Sequence, residues 1–143
     1  MPERKTHIAI SSQLIENEIY TIRGTQVMLD YHLAVLYGVE TKRLNEQVKR
    51  NIERFPSAFM FRLQKDEWDY LQSQIATTNT TAILRSQTAT TKRRTLPYVF
   101  TEQGVTMLSA VLNTETAIQA SIQIIRAFVK MRQFLAQNAG IFQ

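Results

Sequence analysis

The change of character at Gly38 constrains this chain more than any other feature. Before it, Leu33–Tyr37 reads "LAVLY"; after it, Thr41–Asn51 reads "TKRLNEQVKRN". An apolar helical pattern that stops at a glycine and restarts as a basic amphipathic one describes two short helices meeting at a corner. Placing Leu33 at the fourth position of a helix-turn-helix puts Ala34 fifth, Gly38 ninth, Val39 tenth and Leu44 fifteenth. The alanine lets the helices approach, the glycine allows a left-handed turn, and the apolar positions pack the pair on itself and on the body. Asp30 is expected to N-cap the first helix, over Tyr31–Tyr37. Thr41 is expected to cap the second, which runs to about Arg54 and is stopped by Phe55-Pro56.

The segments around this corner predict a mainly helical α+β domain. "EIYTIRGTQVML" alternates around Arg23-Gly24-Thr25-Gln26 and reads as a β-hairpin turning at Gly24. "FMFRL" alternates like a strand, and Asp66 and Glu67 favour a helix start over about Asp66–Ala76. Residues 77–96 form a threonine-rich basic loop. It contains a local echo, "SQIATT" and "SQTATT", best explained as a small tandem duplication. "PYVF" is a short strand. Thr101 caps a helix over Glu102–Leu112, closed by Asn113, and Thr114 caps a last helix over Glu115–Gln137. That helix carries two apolar stripes, Ile118, Ile122, Ile125 and Val129 beside Ile124, Phe128, Met131 and Leu135. So wide an apolar face predicts burial by more than one neighbour. Residues 1–143 thus read as one domain. A hairpin and helix-turn-helix core fill 19–63, small hairpins or a wing flank it, and a long packing helix spans 114–137.

The charge is unevenly placed. The chain totals +5, yet residues 41–54 alone hold a local +3 and residues 85–94 a local +4, leaving the remainder slightly acidic. A concentrated basic patch on such a body points to a polyanionic partner. On the second helix Lys42, Arg43, Asn45, Glu46, Gln47, Lys49, Arg50 and Asn51 surround an inward Leu44 and Val48. Arginine pairs bidentately with guanine edges, Asn and Gln with adenine, and lysine suits phosphates. The candidate DNA-binding residues are therefore Thr41, Lys42, Arg43, Asn45, Gln47, Lys49, Arg50, Asn51 and Arg54. Lys92, Arg93 and Arg94 in "TKRRT" are a candidate wing, with a solvated loop the equal alternative.

Other chemistries find little support. With no cysteine there is no disulfide framework or thiolate site. His7 and His32 are far apart, so no metal or other cofactor is expected; His32 reads as a half-exposed helix residue. Asp66, Glu67 and Asp69 fit a helix start better than a metal cluster. Trp68, Phe59, Phe61, Tyr98 and Phe100 read as core, and Arg126, Lys130 and Arg132 as the solvated edge of the last helix. "TEQG" at Thr101–Gly104 reads as a cap and a close helix approach. No catalytic constellation stands out, so the chain is not expected to be an enzyme. "MPERKTHIAI" lacks the apolar run of a signal peptide, and no stretch is a membrane span. A cytoplasmic, nucleoid-associated location follows.

These residues also suggest a family. "IRGTQVMLDYHLAVLYGVETKRLNEQVKRNIERFPSAFMFRLQKDEWDYLQSQIAT", with "LPYVFTEQGVTML" and "IRAFVKMR", closely resembles the phage-type ORF-six N-terminal domain of the KilA-N group. The resemblance runs from about Ile19 to Phe134, and "VETKRLNEQVKRN" and "PYVFTEQGV" are its specific blocks. It implies a DNA-binding module of a phage or prophage regulatory, antirepressor-like protein. It also implies that a C-terminal effector or coiled-coil region is absent from this chain. The chain departs from the family pattern in its threonine-rich loop, which is longer and poorer in glycine.

Two functions are carried forward. The first is a double-stranded DNA binder acting as a homodimer, with the last helix serving as interface or as core alone. The second is a protein-interaction or oligomerisation module whose basic helix docks an acidic partner, such as a repressor protein.

Overall fold

The computed structural model describes residues 14–75 and 95–138. Strands β1 (Tyr20–Ile22) and β2 (Thr25–Leu29) form a hairpin closed by Arg23 and Gly24 alone. Both turn residues have positive φ, 55° and 74°, which matches the twist of paired strands. Glycine adopts this freely, whereas arginine does not. The Arg23 side chain is correspondingly anchored. Its Nε and Nη2 donate to the Glu67 carboxylate at 2.8 and 3.0 Å, and its guanidinium lies 4.3 Å from the Phe61 ring centroid.

Strands β3 (Met60–Arg62) and β4 (Tyr98–Phe100) complete an antiparallel sheet of order β1-β2-β4-β3. The expectation of small local hairpins therefore holds only for β1 and β2. The β4 strand inserts between β2 and β3, pairing Phe100 with both Met28 and Met60. Because strand side chains alternate, the sheet separates two cores. Met28, Met60 and Phe100 face a large core shared with α1 (Asp30–Tyr37), α2 (Thr41–Arg50), α4 (Glu102–Leu112) and α5 (Glu115–Gln137). Val27, Leu29 and Val99 face a smaller one, closed by Trp68, Leu71 and Ile75 of α3 (Lys65–Ile75). The domain is thus mainly helical α+β, with a four-stranded sheet between layers of helix.

Several caps follow the sequence. Thr101 Oγ1 accepts from the Gly104 N–H at 3.2 Å and Thr114 Oγ1 from the Ala117 N–H at 3.1 Å. Asn113 ends α4 in the left-handed region. Gly104 is needed for its size, because a Cβ there would lie 2.0 Å from the Phe59 carbonyl oxygen. In α3, Glu67 reaches back to accept from the Gln64 N–H.

Other expectations need correction. Asp30 does not cap α1 from outside; it is the helix's first residue, almost wholly buried, and bonds to distant segments instead. Thr41 is likewise the first residue of α2, which follows Glu40 with no side-chain cap. The α2 helix ends at Arg50, and Ile52–Arg54 form a separate 3₁₀ turn. Its end is set by Asn51, whose side-chain amide donates to the Gln47 carbonyl at 2.9 Å. His32 is buried rather than half-exposed, packed at 4.5 Å from the Tyr31 ring with Nδ1 3.7 Å from the Glu18 carboxylate.

The last helix differs most. Only one stripe is buried, through Ala117, Ser121, Ile124, Ala127 and Phe128. Small side chains at 117 and 121 let α5 approach α1, where the Tyr37 and Ser121 hydroxyls meet at 2.9 Å. Of the other stripe, Ile118 and Ile122 are 42% and 39% exposed while Ile125 packs half-buried against the large core, so among the described residues this stripe is covered only in part. Of the cations expected on its solvated edge, Arg132 pairs with Glu102 and Lys130 with Glu16, while Arg126 is exposed.

Candidate nucleic-acid interface

The corner between α1 and α2 is closed by two backbone bonds. Gly38 N donates to Val35 O at 3.2 Å and Val39 N to Ala34 O at 3.0 Å, around a left-handed Gly38. This pairing satisfies carbonyls that the end of α1 would leave open, and it turns the chain sharply. Leu44 and Val48 then seat α2 on the core, while its opposite side is solvent-facing. Ten residues give a rod about 15 Å long.

Successive side chains turn by about 100°, so the two buried positions fix the direction of all the others. Lys42, Arg43, Glu46, Lys49 and Arg50 share the outer side and are exposed. Arg54 is exposed on the following turn. Gln47 is half-buried at one flank, beside a cleft lined by Tyr37, Arg43, Leu112 and Thr114.

Two expected contacts are drawn inward. Asn45 Nδ2 donates to Asp30 Oδ2 at 3.0 Å, tying α2 to the start of α1. Asn51 is occupied in ending its own helix. Thr41 is half-buried at the helix start. Lys92, Arg93 and Arg94 lie outside the described residues. Of the expected set, the structure therefore brings Lys42, Arg43, Lys49 and Arg50 onto one surface, with Gln47 at its flank.

The electrostatics of this surface are one-sided. The ion pairs found among the described residues involve Arg23, His32, Lys130 and Arg132. Lys42, Arg43, Lys49, Arg50 and Arg54 enter none of them. Glu46 is the acid among them on α2. Their charge is available to an outside partner.

One cation was missed from the sequence. Arg62, at the end of β3, lines a groove of about 280 Å³ together with Lys42, Glu46, Lys49 and Tyr98. Its guanidinium lies 4.4 Å from the Tyr98 ring centroid. The alternation of "FMFRL" could have revealed it, since Arg62 falls on the same strand face as buried Met60. A cation at that register marks where the covered face opens to solvent.

The family model for the ORF6N domain matches residues 17–111. The chain belongs to this family. The matched span of the ORF6N domain holds all four strands, α1 to α3, and α4 as far as Val111. It includes the corner and the basic helix, whereas α5 lies beyond it. ORF6N membership makes this a phage-type regulatory family. Comparison with curated proteins and with solved structures gives no match. Among the described residues, no helix of this ORF6N domain is long and apolar enough to cross a membrane.

Proposed function

We propose that this ORF6N domain binds double-stranded DNA as part of a phage- or prophage-type regulatory protein, reading the major groove with the outer face of α2. One observation carries the reading: four cations share that face with one acid, Glu46, and none of them enters an ion pair among the described residues. An α-helix fits the major groove of B-DNA, and a basic helix held out by a tight turn has the shape that insertion needs. Arg43 and Arg50 are the guanine readers, with Gln47 beside them, and Lys42 and Lys49 meet phosphates. An antirepressor-like role, acting in the cytoplasm on nucleoid DNA or on a repressor, is the finer form of this proposal.

A homodimer is part of the same reading, because one helix reads only a few base pairs. Ile118, Ile122, Ile125 and Val129 recur at alternating spacings of four and three, the seam of a coiled coil. Glu115 stands one step before this seam, and Arg126 and Lys130 flank its far end. In an antiparallel pairing centred on Ile122, Glu115 of each copy comes level with those cations of the other. In such a pairing the charges at the two ends of the seam are opposite in sign.

The experiment is a salt titration of duplex binding. Four to six phosphate contacts give a log–log slope of roughly −4 to −5. A protein that binds an acidic polypeptide but no duplex at physiological salt would belong to the interaction-module class instead.

A further inference from the structure

The groove beside α2 points to a second contact with the same ligand. We infer that Arg62, with Lys42 and Lys49 across from it, seats the phosphate backbone of one DNA strand between α2 and the end of strand β3. This rests on the DNA-binding reading above and goes beyond it. It adds a residue from the sheet, and it fixes on which side of the helix a strand lies.

Three observations converge on Arg62. It is exposed at the groove's rim and enters no ion pair among the described residues. Its guanidinium carbon lies over the Tyr98 ring, 4.4 Å from the centroid, so part of the side chain's freedom is already restricted before an anion binds. It also shares one groove with two lysines that stand about two turns apart on α2. The acids there offset only part of this charge. Asp30 is buried at the base, accepting from Asn45 and the Tyr98 N–H. With Glu46 it faces three cations, which leaves the groove a net positive charge. The groove walls add Ile52 and Leu96, which suit the apolar edge of a sugar rather than a second charge. Thr95, which follows the Lys92–Arg94 run directly, lines the same groove.

Phosphates carry no sequence information, so Arg62 and the base-facing residues should respond differently. The test measures affinity for two unrelated duplexes over a range of salt, for the parent chain, Arg62→Ala and Arg62→Lys. Arg62→Ala is expected to weaken binding to both duplexes equally, by about three- to tenfold, and to make the log–log slope shallower by about one. Arg62→Lys keeps the charge and should keep the slope. A purely structural role for the Arg62–Tyr98 stack would lower thermal stability without moving the slope. A parent that binds duplex while Arg62→Ala leaves slope and affinity unchanged overturns this inference alone. A parent that binds no duplex overturns the DNA reading and this inference with it.

Discussion

Asn45 of the basic helix donates its side-chain amide to Asp30 Oδ2 at 3.0 Å. Asp30 thereby joins three elements, because the same oxygen accepts from the Tyr98 N–H at 3.3 Å and Oδ1 accepts from the Tyr31 N–H at 2.7 Å. A buried carboxylate with several donors holds the corner, the basic helix and the central strand in one arrangement.

Replacing Asp30 with Ala strands those donors in a buried place. The expected cost is about 3 kcal/mol of folding stability, read from chemical denaturation. Asn45→Ala removes a single bond and should cost about 1 kcal/mol. Since Asn45 points inward, it should leave the DNA sequence preference unchanged.

Gly104 sits where α4 passes the loop before β3. With the Cβ position 2.0 Å from the Phe59 carbonyl oxygen, Gly104→Ala must push the backbones apart. A loss of at least about 3 kcal/mol is expected, measured as a fall in thermal midpoint. Glu102→Gln, two residues earlier and partly exposed, serves as the mild control.

Local signals were legible and distant partnerships were not. Gly38, Asn113 and Thr114 act within a few residues of themselves, as does Thr101 in capping α4, so spacing alone places them. Asp30 looked like a helix cap because an aspartate before a helix ordinarily is one. Its partners, Asn45 and Tyr98, come from elements that only the tertiary fold brings together. Pro56 predicts an α2 helix that runs to about Arg54, whereas Asn51 ends it at Arg50, four residues sooner. Hydrophobicity points to both stripes of α5 as buried, yet Ile118 and Ile122 of one and Leu135 of the other are exposed. The buried one includes Ala117 and Ser121, chosen for close approach rather than apolar area. Arg62 was overlooked because its cationic neighbours lie in a different element.

Burial raises the Glu18 carboxyl from its ordinary value of 4.5 to about 7. The groups around it are the buried His32, whose Nδ1 is 3.7 Å away, and the Tyr20 and Tyr31 rings stacked near that imidazole. In the unfolded chain Glu18 ionises near 4.5, whereas in the fold it stays protonated longer. The fold therefore loses stability as pH rises from about 4.5 to about 7 and then levels off. Glu18→Gln should flatten this fall, which is on the order of 3 kcal/mol, in denaturation curves taken across that range.

The outward seam of α5 predicts association that can be broken without unfolding. Ile122 is 39% exposed, so Ile122→Asp should leave the monomer folded. Sedimentation equilibrium should show a dimer for the parent chain and a monomer for the variant. A parent that stays monomeric at tens of micromolar removes the seam from the account.

The central claim is that the outer face of α2 reads bases, and the most direct measurement is selection of bound sequences from a random duplex pool at physiological salt. The parent chain should enrich a defined sequence. Arg43→Ala should lose preference at one position of it, with a cost of about 1–3 kcal/mol on the parent's site. Enrichment of the same sequence by both proteins, or of none by the parent, would contradict the claim.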